Sequence, residues 1–161
     1  MALPTTYQLY IRLSRPCRIQ AGRLASHRLP AGWYVYTGSA RRNLVARVER
    51  HLSRDKTLRW HIDWLLSRRE ARVIHVSLHH EAECDLNAAT GGEVLIAGFG
   101  ATDCRARCGS HLRYLGSQTP RQVPEGAIGR RHSGTIALQT AIARQTACGT
   151  GSTARPKDIA K

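Results

Sequence analysis

The sequence holds one Phe and one Met among 161 residues, and only 11 acidic side chains against 25 Lys and Arg. Leu, Ile, Val, Trp and Tyr must therefore build any core. A hydrophobic fraction of 42% supports a folded chain, and the length suits one domain with one core. No run is long and apolar enough to span a membrane. The opening Met1-Ala-Leu-Pro-Thr-Thr lacks the charged start and apolar stretch of a secretory signal, which sets the cytoplasm as the expected location. Cysteine occurs five times, at 17, 84, 104, 108 and 148. An odd count without a secretion signal argues against a disulfide framework and for metal binding or plain burial. No internal repeat is visible.

The scarcity of acid leaves a formal charge of +14, and Arg supplies 22 of the 25 basic residues. A genome rich in G and C favours Arg over Lys codons, but it does not account for the excess over acid. Residues 1–116 carry 18 basic and 9 acidic residues, net +9, and residues 117–161 carry 7 and 2, net +5. The excess thus runs through the whole chain. Planar guanidinium forks suit phosphate, so the expected partner is a polyanion, nucleic acid first and DNA before RNA. A membrane surface is disfavoured, since no long amphipathic basic helix stands out.

Periodicity places strands at 6–13 and 32–37, with Tyr34 and Tyr36 on one face. Residues 18–31 read as turns, with a short strand near 18–20. A helix is predicted over 43–54, with Leu44, Val45, Val48 and Leu52 as its apolar stripe and Arg47, Arg50, His51 and Arg54 off it. A second helix is predicted over 58–69, a strand over 72–78, and a third helix over 81–90 stopped by Gly91-Gly92. Residues 93–97 are a short apolar run ending at Gly98. Strands separated by helices indicate a small α/β or α+β domain over 1–116. Residues 117–161, rich in Gly, Pro, Ser, Arg and Gln, read as a mobile basic tail with a weak helix at 136–147.

The most telling segment is 34–51, Tyr-Val-Tyr-Thr-Gly-Ser-Ala-Arg-Arg-Asn-Leu-Val-Ala-Arg-Val-Glu-Arg-His. A tyrosine strand ends at Gly38-Ser39, and a cationic helix follows with Arg47 and His51 one turn apart. That arrangement suits phosphate handling; the plain alternative is strand-packing tyrosines beside solvated charges. Two further blocks accompany it: Lys56-Thr-Leu-Arg-Trp-His-Ile-Asp-Trp-Leu, and Gly98-Phe-Gly-Ala-Thr-Asp-Cys followed by Ser110-His-Leu. Together the blocks resemble the GIY-YIG nuclease superfamily, closest to a small uncharacterised branch found alone or fused to endonuclease III. The resemblance covers most of residues 6–115.

It implies a three-stranded mixed or antiparallel sheet flanked by helices, and divalent-metal-dependent hydrolysis of nucleic-acid phosphodiesters. By position Tyr7 matches the first motif tyrosine, on an edge strand, and Tyr36 the second, with Tyr34 as the alternative. Twenty-eight residues separate Tyr7 from Tyr36, a longer gap than usual, and Thr5-Thr6-Tyr7 lacks the motif's glycine and isoleucine. Arg47 matches the phosphate clamp and His51 its helix partner. Glu83 matches the carboxylate that holds Mg²⁺ or Mn²⁺, with Glu81 as the alternative; the plain reading is a solvated helix charge. Arg41, Arg42, Arg50, Arg54 and Lys56 would track the nucleic-acid backbone.

Two constellations stand beside this motif. Cys104-Arg-Ala-Arg-Cys108-Gly-Ser-His111, with Cys84, offers three thiols and an imidazole, a set compatible with tetrahedral zinc or with simple burial. Cys17 and Cys148 look incidental. Trp60 and Trp64 read as core residues, and His61 and Asp63 as structural, with Asp63 paired to Arg59 or a nearby strand. Two other functions stay open: a catalytically silent nucleic-acid-binding module, and a zinc-stabilised interaction domain.

Overall fold

The structure, a computed structural model, describes residues 3–125. It is an α+β fold whose main sheet is antiparallel throughout. The elements are β1 (Thr6–Leu13), β2 (Cys17–Ile19), β3 (His27–Leu29), β4 (Gly32–Ser39), α1 (Leu44–Leu52), α2 (His61–Leu66), β5 (Ala71–His79), α3 (Glu83–Thr90) and β6 (Leu112–Gly116). The sheet order is β5-β1-β4-β6, and β2 and β3 form a separate hairpin.

Alternation along β1 sorts its side chains onto two faces. Tyr7, Leu9, Ile11 and Leu13 enter the main core with Tyr34 and Tyr36 of β4. Leu44 and Val48 of α1, Ile62 and Leu65 of α2, and Phe99 cover them. Tyr10, Trp33 and Val35 lie on the other face, under Val123. The shared face expected for Tyr34 and Tyr36 is present. Trp60 and Trp64 pack partly buried against the main core.

The sheet has four strands where three were expected. The extra strand, β6, is only five residues long and contains Arg113, so its alternation was too brief to register. The same is true of β3. Tyr7 lies on a central strand rather than an edge, because β1 pairs with both β4 and β5.

Helix limits also moved for local reasons. Asn43 has φ 54, left-handed backbone that holds it outside α1. Trp60 is extended, and the Asp63 carboxylate accepts the backbone N–H groups of Arg59 and Trp60 at 2.9 Å each. That cap starts α2 at His61 instead of 58. Gly91 and Gly92, at φ 69 and 81, stop α3 as expected. The weak helix expected at 136–147 and Cys148 lie outside the described residues, as does most of the tail.

Candidate functional site

The site forms where β1 begins and β4 ends, since Thr6 pairs with Ser39 and Tyr7 with Gly38. Tyr7 crosses directly over Gly38. A Cβ there would collide with the Tyr7 hydroxyl, so the glycine supplies the room the tyrosine occupies. Leu9 pairs with Tyr36, which sets the two tyrosine rings 6.5 Å apart on the same face. Gly100 (φ +67) admits Tyr36 in the same way, since a Cβ there would sit 2.9 Å from its ring.

Helix α1 departs the sheet beside these rings. Its buried side is Leu44, Val48 and His51, whereas Val45 is 42% exposed. The expected stripe is thus rotated by about one residue, and His51 is part of the buried face rather than off it. The reason is the tyrosine pair. The Tyr7 hydroxyl and His51 Nε2 are 2.7 Å apart, and Tyr36 meets the imidazole edge-on. On its other side, His51 Nδ1 lies 3.8 Å from Asp63 Oδ1, an electrostatic approach and not a hydrogen bond.

Burial lowers the His51 pKa below the ordinary imidazole value, against the opposing pull of Asp63. A neutral ring with its proton on Nδ1, facing Asp63, can accept the Tyr7 hydroxyl at Nε2. Burial pushes the Tyr7 phenol well above its ordinary value, Tyr36 adds to this, and Arg47 opposes it. Tyr36 is likewise raised, by burial first and then by Glu83.

Asp63 is fully buried and saturated. Beyond its two amides it receives a fork from Arg50 (3.1–3.2 Å) and lies 3.7 Å from Lys56 Nζ. Burial alone would raise its pKa; the His51 approach, the Arg50 fork and the amides outweigh this and hold it far below the usual carboxylate range. Arg50 and Lys56 supply the basic side chains around Asp63, while Arg59, the expected partner, contributes its backbone N–H. Lys56 also donates to the carbonyls of His51 (2.7 Å) and Arg50 (3.2 Å), and only 6% of its side chain is exposed. Both residues therefore brace α1 against α2, and Arg50 keeps 28% of its side chain exposed. Arg41, Arg42 and Arg54 are exposed.

Arg47 sits over the Trp60 ring at 4.9 Å, and its Nη1 donates to the Ser39 carbonyl at 3.2 Å. Its charge is close enough to act on Tyr7, Tyr36 and Glu83. The Ser39 hydroxyl donates to Glu83 Oε2, and Glu83 Oε1 lies 3.0 Å from His111 Nδ1. Burial disfavours the Glu83 charge, but His111 and Ser39 overcome it and hold the carboxylate ionised. The structure thus gathers Tyr7, Tyr36, Arg47, His51 and Glu83 at one end of the sheet. Tyr34 is farther along β4, with its hydroxyl on the Pro30 carbonyl. Glu81 is exposed and near His79.

Glu83 is a carboxylate at this face, close to Tyr36 and Arg47. Its two oxygens are engaged, one by the Ser39 hydroxyl and the other by the approach of His111. A second donor set adjoins it. The thiols of Cys84, Cys104 and Cys108 and a nitrogen of His111 lie within 4.8 Å of one another, a cluster able to hold a metal. Cys17 is buried in the core, as expected of an incidental cysteine.

Sequence reasoning missed three contributors. Asp63 supports both the fold and His51, and its signal was an acidic residue in the first turn of a helix. Trp60 is a platform for Arg47 and Arg50, at 4.9 and 4.3 Å. Ser39, directly after Gly38, links Arg47 to Glu83. Among the described residues no helix is long and apolar enough to cross a membrane.

Comparison with known proteins adds a family and no named relative. No curated protein and no solved structure matches. The family model described as "Domain of unknown function DUF123" matches residues 6–131, which span every element above, and the chain belongs to that family.

Proposed function

We propose that this protein is a metal-dependent endonuclease of the GIY-YIG kind that hydrolyses phosphodiester bonds in DNA. One observation carries the reading. The five residues assigned by resemblance come from four elements, β1, β4, α1 and α3, yet meet at one sheet end, with Tyr7 and His51 in hydrogen-bond contact at 2.7 Å.

A phosphodiester needs an aligned water, a proton acceptor and cations around the phosphate. Neutral His51 takes the Tyr7 proton at Nε2, and the Tyr7 oxygen then accepts the proton of the attacking water. Asp63 favours the imidazolium that results. Arg47, held by Trp60 and the Ser39 carbonyl, clamps the phosphate with its free nitrogens and lowers the cost of a phenolate at Tyr7. Tyr36 borders the same space. Glu83 would hold Mg²⁺ or Mn²⁺, which when bound supplies positive charge to the phosphate and acidifies a water. The Cys–His cluster takes no part in this chemistry; its donor set suits zinc in a structural role.

The burial of Tyr7, 1% exposed, favours a second reading, a nucleic-acid-binding module without catalysis. The two separate cleanly. Purified protein is incubated with labelled DNA and RNA of several structures, with Mg²⁺, Mn²⁺ or EDTA. The nuclease reading expects metal-dependent cleavage, lost in Tyr7→Phe and reduced roughly a hundredfold or more in Arg47→Ala, with binding retained. Salt-sensitive binding without cleavage under any metal selects the silent module.

A further inference from the structure

We propose that Cys84, Cys104, Cys108 and His111 form a closed zinc site, and that Glu83 is its outer carboxylate, bound to the ring nitrogen of His111 that the metal does not use. The zinc ion thereby fixes the carboxylate that faces Tyr36 and Arg47. The metal site does not depend on the nuclease reading, and its test reads metal binding only.

The four donor atoms already lie within 4.8 Å of one another. Tetrahedral zinc at thiolate distances of about 2.3 Å requires ligand separations of roughly 3.8 Å, a small contraction. Cys84 and Cys104 stand at 3.6 Å. The donors come from two places, α3 and the loop between α3 and β6, so one ion would tie them together. That loop is anchored by the Asn87 amide on the Ser110 carbonyl and by the Gly100 N–H on His61 Nδ1, but its middle is not in the core. Residues 101–109 are largely exposed, and Arg107 and Gly109 are at positive φ (53 and 75). Ile96, Phe99 and Ser110, which flank that stretch, are buried.

His111 is the second, independent observation. It is 4% exposed, yet neither ring nitrogen has a hydrogen-bond partner among the described residues, and Nδ1 has only the ionic approach of Glu83. A buried polar atom left without a partner calls for an explanation, and a metal ion is one. Its Nδ1, 3.0 Å from Glu83 Oε1, leaves Nε2 for a metal. A carboxylate on the far nitrogen of a ligating histidine is the usual way that ring orientation and basicity are set. Through the other oxygen of Glu83 the arrangement reaches Ser39, whose carbonyl holds Arg47.

The test uses the full chain in reductant. Elemental analysis is expected to give one zinc per chain. Exchange with Co²⁺ is expected to give the intense ligand-field and charge-transfer bands of tetrahedral thiolate cobalt. Cys108→Ser should abolish or shift those bands, and Cys17→Ser should leave them unchanged. Glu83→Gln should keep the tetrahedral spectrum while zinc affinity, measured against a chromogenic chelator, falls roughly 10- to 100-fold. A wild-type chain that gives only the weak octahedral spectrum of hydrated cobalt overturns the site, whether or not any variant folds. Unchanged affinity in Glu83→Gln overturns the role of the carboxylate.

Discussion

At the scale of single residues, the site depends on absent atoms as much as present ones. Gly38 has no Cβ, and the Tyr7 ring and hydroxyl fill that space. Gly38→Ala should therefore displace the hydroxyl from His51 while keeping the strand pairing, because residue 38 has no positive φ to relieve. A Tyr7 phenol resonance that loses its hydrogen-bond shift in NMR, with little change in thermal midpoint, is the expected result. Asp63 gives a prediction with a pH sign. Its folded pKa lies below the unfolded one, so its contribution is full above about pH 4 and is lost as pH falls below that. His51 acts in the same direction at milder acidity, since its lowered pKa makes folding lose stability as pH drops below about 6.5. Asp63→Asn should flatten the stability curve below pH 4. At neutral pH it should cost about 3–5 kcal/mol, because Arg50 and Lys56 lose the partner that justifies their burial. Chemical denaturation across pH reads both effects; an unaltered acid limb would remove Asp63 from this role.

At the scale of elements, legibility followed length and local punctuation. Strands β1, β4 and β5 each run eight or nine residues, long enough for alternation to appear, and α3 carried its own Gly91-Gly92 stop. The three-residue β2 lies beside the short strand expected near 18–20, but the three-residue β3 and the five-residue β6 had no such signal. The site residues were legible through motif resemblance, because types and spacing survive in a sequence. Their supports were not. Asp63 binding Arg50 and Lys56 requires α2 to dock on α1, and no periodicity within either helix encodes that docking. The rotation of α1 has the same origin: Val45 and His51 differ by what lies opposite them, and for His51 that is a pair of tyrosines from two neighbouring strands. Trp60 offers a check on the helix pair. Trp60→Leu keeps apolar bulk but removes the ring faces from Arg47 and Arg50. It should cost about 0.5–2 kcal/mol in stability and loosen Arg47, read as faster guanidinium exchange with solvent.

At the scale of the whole molecule, charge and boundary can each be tested. The formal charge of +14 draws a polyanion from any direction, but not every cation contributes equally. Arg41 and Arg42 are exposed, whereas Lys56 is held inside the fold. If nucleic acid is bound, replacing Arg41 and Arg42 with Gln should flatten the salt dependence of affinity, by about one unit of slope for each phosphate no longer neutralised. Lys56→Gln should leave that slope intact and lower the melting midpoint instead. The reverse pattern would place the binding face elsewhere.

The boundary argument begins from Val123. Composition suggests a domain ending at 116, but Val123 is 5% exposed and closes the second face of the sheet over Tyr10, Trp33 and Val35. We therefore propose that the folded unit continues to about Glu125, consistent with a family match that reaches 131. A chain cut after Gly116 loses that side chain and opens Trp33 and Tyr10 to water. Burying a valine is worth roughly 1.5–3 kcal/mol, and in a domain of this size such a loss lowers the midpoint by several degrees. A chain cut after Glu125 keeps Val123 in place and should melt with the full-length protein, even though it discards the whole net charge of +5 of the tail. Scanning calorimetry of the two truncations separates packing from charge. If both melt alike, Val123 adds nothing to the fold and the boundary belongs at 116.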